Sequence, residues 1–176
     1  MSYLLIITYI EDYNNLLTLQ SDKFSAYKLR GDAYHNLQNH EQAIQDWSQA
    51  LAINPNDAEL LTHRGISYLK TQQLAKGIED LRQVTQLCPH HPEAYQIYLY
   101  LGSACVASDR PEEAINYLDK VIEIDPNISV AYNTRCGAYM VMGNLEKAIA
   151  ELDRVIELEP QSVASYCNRG HLYAQL

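Results

Sequence analysis

Basic residues are scarce in this chain. Thirteen Lys and Arg stand against 22 Asp and Glu in 176 residues, a net charge of −9. A nucleic-acid surface must neutralise phosphates with Lys and Arg, so this balance argues against DNA or RNA as a partner. Cysteine is thin as well. Cys88, Cys105, Cys136 and Cys167 include no C-x-x-C pair, which leaves no disulfide framework and points to a reducing, cytoplasmic compartment. Helix breakers are few, with seven Gly and six Pro. The apolar opening Tyr3-Leu4-Leu5-Ile6-Ile7-Thr8-Tyr9-Ile10 is far short of the ~20 residues a membrane span takes. No basic residue precedes it and Glu11-Asp12 follows, which argues against a secretory signal. There is no Gly-rich phosphate loop, no H-E-x-x-H and no nucleophile–base set. The chain therefore reads as non-catalytic, with no cofactor and no metal site.

What the chain does have is a period. Gly31, Gly65, Gly102, Cys136 and Gly170 follow one another at 34, 37, 34 and 34 residues. Pro55, Pro89, Pro126 and Pro160 keep the same steps. Self-similarity at this spacing means stacked supersecondary units rather than one globular core. Within a unit, Tyr27, Gly31, Ala33 and Tyr34 mark a first helix; Ala43, Ile44, Trp47, Ala50, Leu51 and Ile53 mark a second, at i, i+3, i+4 and i+7 spacings. The turn Leu37-Gln38-Asn39-His40 is polar, and Asn54-Pro55-Asn56-Asp57 stops the second helix. The later units predict helices at Ala58–Thr71, Leu74–Leu87, Glu93–Ala107, Pro111–Ile124, Ser129–Met142 and Leu145–Leu158. Small residues fall where helices must approach closely: the glycine ladder on first helices, and Ala43, Gly77, Ala114 and Ala148 on second ones.

On Tyr27, Gly31, Tyr34, Ala43, Trp47, Ala50 and Pro55, with matching sets in three more units, the chain resembles the tetratricopeptide repeat over about nine tenths of its length. The resemblance implies an all-α fold: an α-solenoid of stacked antiparallel helix pairs, wound into a right-handed superhelix with a concave groove. The expected organisation is an apolar segment and degenerate half repeat at 1–23, then repeats at 24–57 and 58–91. A three-residue insertion at 92–94 follows, then repeats at 95–128 and 129–162, and a half repeat at 163–176. The insertion, Pro92-Glu93-Ala94, is expected to lengthen the following helix at its start, with His90-His91 as solvated turn residues. The N-terminal segment is either a buried first helix or leader, although its Ile-Ile-Thr run suits a helix poorly, or a sticky arm that lies in a groove.

Two further patterns bear on function. The seventh place of the units reads Arg30, Arg64, Leu101, Arg135, Arg169, and the twenty-third reads Asp46, Asp80, Tyr117, Glu151. Every complete unit with the arginine has the acid. This predicts structural ion pairs Arg30–Asp46, Arg64–Asp80 and Arg135–Glu151 in preference to an arginine ladder for an acidic ligand. On this rule Arg169 has no acid in the chain. Cys105, Cys136 and Cys167, 31 residues apart on first helices, read as small buried residues rather than a thiol site.

In this family the first helices line the groove, and the resemblance implies that ligands bind there. The places that would face it run from polar at the N-terminal end to apolar at the C-terminal end. The candidate contact residues are Lys28, His35, Thr62, Ile66, Leu69, Leu99, Val106, Asn133, Met140 and Asn168. An apolar strip of this kind suits an extended or helical peptide with a few apolar anchors. The family's clamp for a chaperone C-terminal carboxylate is not matched, since only Lys28 and Asn168 fit any register, and of its asparagine ladder only Asn168 remains. The expected function is therefore a protein–protein interaction module, adaptor or co-chaperone-like, with a protein or peptide partner. The competing readings are a scaffold that self-associates through residues 1–10 or the C-terminal helix, and a targeting or regulatory segment of a larger protein.

Overall fold

The structure is a computed structural model that describes residues 3–19, 22–89 and 94–176. Among these residues there are ten helices and no strand. They divide into two compact units, Met1–Pro89 and His90–Leu176. The first holds α1 (Tyr3–Thr18), α2 (Lys23–Asn36), α3 (His40–Ile53), α4 (Ala58–Lys70) and α5 (Leu74–Leu87). The second holds α6 (Ala94–Ala107), α7 (Pro111–Ile124), α8 (Ser129–Val141), α9 (Leu145–Leu158) and α10 (Val163–Tyr173). In each unit every helix packs on the next, and α6 also touches α8. Turns of three or four residues make such neighbours antiparallel, so each unit is a stack of helix pairs.

Local chemistry sets the ends. The side chains of Asn39, Asp57 and Asn144 accept hydrogen bonds from the backbone N–H groups of Gln42, Leu60 and Lys147, capping α3, α4 and α9. Pro111 opens α7, where its missing N–H costs nothing. Pro55, Pro89, Pro126 and Pro160 lie just past α3, α5, α7 and α9 and prevent their continuation. The turn between first and second helix repeats one conformation. Gln38, Gln72, Asp109 and Gly143 all have positive φ, between 57° and 70°. Only the last carries the residue that adopts it without strain.

Side-chain size sets the helix spacing. A Cβ added at Gly31 would lie 2.6 Å from the Trp47 ring, and one at Gly102 would lie 2.7 Å from Leu118. In the pairs α2/α3, α4/α5 and α6/α7 the second helix therefore rests directly on the first helix's backbone at its glycine. Trp47, Leu81, Leu118 and Leu152, one per second helix, are fully buried.

The Ile6-Ile7-Thr8 run lies inside α1, where the sequence reads against a helix. α1 packs on α2 and Ile6 is buried. Burying one Ile stabilises by about 1.5–3 kcal/mol, more than the few tenths that β-branched residues cost a helix. His90-His91 and most of the 92–94 insertion lie outside the described residues; Ala94 opens α6.

Candidate ligand-binding surface

The first helices of the second unit, α6, α8 and α10, carry three hollows. One, of about 300 Å³, lies between α6 and α8 and is lined by Gln96, Leu99, Tyr100, Ser103 and Val130. A second, of about 250 Å³, is lined by Asn133, Cys136, Gly137, Met140, Asn168, His171 and Leu172. A third, of about 200 Å³, shares Val130, Asn133 and Asn168 and adds Ser129, Glu159, Ser162 and Ala164 among others. These volumes are at or below the small end for small-molecule sites, and each suits a side chain of a larger ligand. Val130 and Met140 are exposed at 53% and 47%. Among the candidate residues, Asn133, Met140 and Asn168 thus come together in one hollow and Leu99 lines another. Tyr100, not among the candidates, adds an aromatic face to the first hollow.

The remaining candidates are partly or wholly enclosed, and some are already paired. Thr62 is buried, and its hydroxyl donates to the Ala58 carbonyl at 2.8 Å. A β-carbon or hydroxyl turned into the stack cannot meet a ligand. Leu69 fills the space over Gly77, with Cδ2 2.4 Å from where a Cβ would stand there, and Ile66 is half-buried. Val106 is half-buried beside Gly137. Lys28 donates to Glu59 at 2.5 Å. His35 belongs to an aromatic cluster, its ring 5.5 Å from His40, 5.5 Å from Trp47 and 6.2 Å from His63. The Nδ1 atoms of His35 and His40 are buried with no hydrogen-bond partner, while Trp47 Nε1 donates to Asp32 at 3.0 Å. Burial, followed by the neighbouring His40, His63 and Lys70, lowers the His35 pKa, and burial raises that of Asp32. Among the described residues no three His, Cys, Asp or Glu side chains form a set that would hold a metal ion.

Three of the four seventh-place arginines, Arg30, Arg64 and Arg135, each join three helices. Arg30 Nε and Nη2 donate to Asp46 at 2.7 and 2.5 Å, Arg64 grips Asp80 at 2.7 and 2.8 Å, and Arg135 grips Glu151 at 3.0 and 2.9 Å. The carboxylate always lies sixteen residues ahead. The Nη1 arm reaches sixteen residues back, from Arg30 to Asn14, Arg64 to Ser48 and Arg135 to Asp119. Each of these three arginines therefore pairs within its unit and with the preceding helix at once. Arg169 does find an acid, contrary to the sequence expectation: Nη1 donates to Asp153 at 2.5 Å. Burial pushes the Glu151 carboxyl above its usual range, against the pull of Arg135.

The cysteines do not share one fate. Cys105 and Cys136 are buried, and burial raises the Cys136 thiol to about 11. Cys167 is exposed, contrary to expectation. A step of 31 against a period of 34 shifts each cysteine three places along its helix, so the last one leaves the packed face. No helix among the described residues is long and apolar enough to cross a membrane.

Comparison with known proteins places this architecture. The family model described as TPR repeat matches residues 31–72 and 138–176, and a second, described as tetratricopeptide repeat, matches 56–127. The chain is 27% identical over 108 residues to small glutamine-rich tetratricopeptide repeat-containing protein 2 of Mycosarcoma maydis, covering 61% of this chain and 30% of that protein. It is 28% identical over 158 residues to DnaJ protein P58IPK homolog B of Oryza sativa subsp. japonica, covering 78% of this chain and 33% of the relative. The chain thus spans about a third of the length of these relatives. The crystal structure of YrrB, described as a TPR protein with an unusual peptide-binding site, superposes with a TM-score of 0.85 at 21% identity, over 94% of this chain and 84% of that one, a likeness of fold. With matching repeats from residue 31 to the C-terminal helix, the chain belongs to the tetratricopeptide repeat family.

Proposed function

We propose that this chain is a non-catalytic interaction module that binds an extended peptide segment of another protein along α6, α8 and α10, in an adaptor or co-chaperone-like role. The hollow between α6 and α8 carries this reading. Leu99, Tyr100 and Val130 offer an apolar seat for one ligand side chain, with Gln96 and Ser103 at hand for its backbone. The adjoining hollow presents Met140, an adaptable apolar contact, beside the amides of Asn133 and Asn168. Apolar anchors at intervals with amides between them suit an extended chain, which needs hydrogen bonds along its length. One of the relatives named above, a DnaJ protein, favours the co-chaperone-like role.

Selection from a random peptide display library, with the chain and a Val130→Glu, Met140→Glu variant in parallel, tests this. Both positions are exposed, so the variant keeps its fold, as circular dichroism would check. The expected result is a set of peptides with spaced apolar residues, bound at least about tenfold more weakly by the variant. Equal binding by both proteins would overturn the reading.

A further inference from the structure

The three hollows of the second unit differ in chemistry. The one between α6 and α8 offers Leu99, Tyr100 and Val130 beside neutral polar groups. The third offers hydroxyls and amides from Ser129, Asn133, Ser162, Ser165 and Asn168, together with one carboxylate, that of Glu159. Among the described residues that line the three hollows, Glu159 is the single Asp, Glu, Lys or Arg. It is exposed, and the Ser129 hydroxyl donates to its carboxylate, which holds the charge at the wall of the hollow.

The place of Glu159 adds to its charge. It is the C-cap of α9, where the backbone dipoles leave partial negative charge, and the last turn of α9 has no basic residue. Two sources of negative potential therefore meet at one hollow. The chain's own cations are engaged elsewhere. Residues 90–176 hold six Lys and Arg against twelve Asp and Glu, so each cation in use leaves an acid over. Arg110, Arg135, Arg154 and Arg169 pair with Glu113, Glu151, Glu157 and Asp153. Lys120 and Lys147 lie over the rings of Tyr98 and Tyr139, at 4.9 and 5.3 Å. Among the described residues none of the six forms an ion pair with Glu159.

We infer that this hollow takes the side chain of a Lys or Arg of the bound peptide, so that the partner segment is basic and Glu159 selects it. The inference rests on the peptide reading above and adds the chemistry of the ligand. Val130 lines both this hollow and the one between α6 and α8, so the two are neighbours. In an extended chain, side chains two places apart point the same way, about 7 Å from one another. An apolar residue seated by Leu99 and Tyr100 thus brings the side chain two places along to Glu159. The aliphatic stem of a Lys or Arg lies along Val130 and Ala164, while its head reaches the carboxylate and the end of α9. An acidic residue at that place meets like charge and is rejected.

The test selects a random decapeptide display library on the full chain and, in parallel, on Glu159→Gln and Glu159→Lys variants, whose fold circular dichroism checks. The unaltered chain is expected to enrich peptides with Lys or Arg two places from a large apolar residue. Glu159→Gln should keep the apolar preference and lose the basic one, and Glu159→Lys should favour Asp or Glu at the same place. In fluorescence anisotropy a selected peptide should bind Glu159→Gln about three- to fivefold more weakly than the unaltered chain. Its affinity for the unaltered chain should fall with added salt, and more steeply than for the variant. A basic preference that survives Glu159→Gln, or apolar peptides with no basic preference, would overturn this inference and leave the peptide surface standing. A selection that enriches no peptide would overturn both.

Discussion

Arg169 and Asp153 stand sixteen residues apart in sequence and 2.5 Å apart in space. The same backward reach joins Arg135 to Asp119, Arg64 to Ser48 and Arg30 to Asn14. The repeat is therefore fixed by more than apolar packing: an arginine at one place ties its helix to the helices before and after it.

The arginines are expected to be structural. Arg135 and Glu151 are 17% and 11% exposed at their side chains, so truncation strands a buried carboxylate. Arg135→Leu should destabilise the second unit by about 2–4 kcal/mol in urea unfolding. Adding Glu151→Tyr should recover most of this, because Leu101 and Tyr117 already form that combination in the neighbouring repeat. No recovery would mean that the third repeat owes its packing to something other than this exchange.

A buried and an exposed helical glycine should respond with opposite signs. A Cβ at Gly77 meets Leu69 at 2.4 Å and the Gly65 carbonyl at 2.9 Å, and backbone cannot step aside. Gly77→Ala should cost about 1–3 kcal/mol. Gly170→Ala meets nothing and should gain up to about 1 kcal/mol from helix propensity. Paired urea midpoints decide the matter, and a shift of the same sign in both would refute the packing assignment.

The inter-helix turns hold removable strain. Gln38, Gln72 and Asp109 occupy the left-handed conformation that Gly143 adopts freely. Replacing each by Gly should stabilise by about 0.5–1 kcal/mol, despite the entropy that glycine adds to the unfolded chain. Additive gains across the three sites are expected, as they lie on separate turns; a loss at any one of them would show that its side chain does more than turn.

Acid should weaken the first unit. His35 and His40 lie below their ordinary value of 6.5, chiefly through burial, and His63 and Lys70 add positive charge nearby. Below pH 6.5 the unfolded chain therefore takes up protons that the folded chain resists. Stability is full above that pH and falls as pH drops towards the lowered folded values. Asp32, whose carboxyl burial raises, works in the opposite sense, but from its ordinary value of 3.8 upward. A His35→Gln, His40→Gln variant should show a flatter stability profile between pH 7 and 5. Identical slopes would exclude the cluster as the cause.

Much of this architecture can be read from residues alone. The 34-residue step locates the helices to within a residue or two, because apolar spacing and proline stops are both local signals. The span from Leu74 to Leu87 reads the same in sequence and structure. The surface is less legible. Thr62 and Leu69 occupy groove places in the repeat but turn into the stack, a matter of side-chain direction that period counting does not resolve. Tyr100 shares its place in the repeat with Asn168, but it is passed over because only an asparagine there reads as a contact. The backward arm of each arginine was hidden too, since Asn14, Ser48, Asp119 and Asp153 share a hydrogen-bonding oxygen but span three residue types.

An arginine that serves two neighbours has a consequence for how the stack lets go. If α9 swings away, Arg135 keeps one arm on Asp119 and is left with two bare donors beside a half-covered carboxylate. That penalty falls on α8 as much as on α9. Transient opening is therefore shared along the array. A protease or a hydrogen-exchange probe would meet groups of helices that release together, with the boundaries of cooperativity drawn by guanidinium groups rather than by the turns.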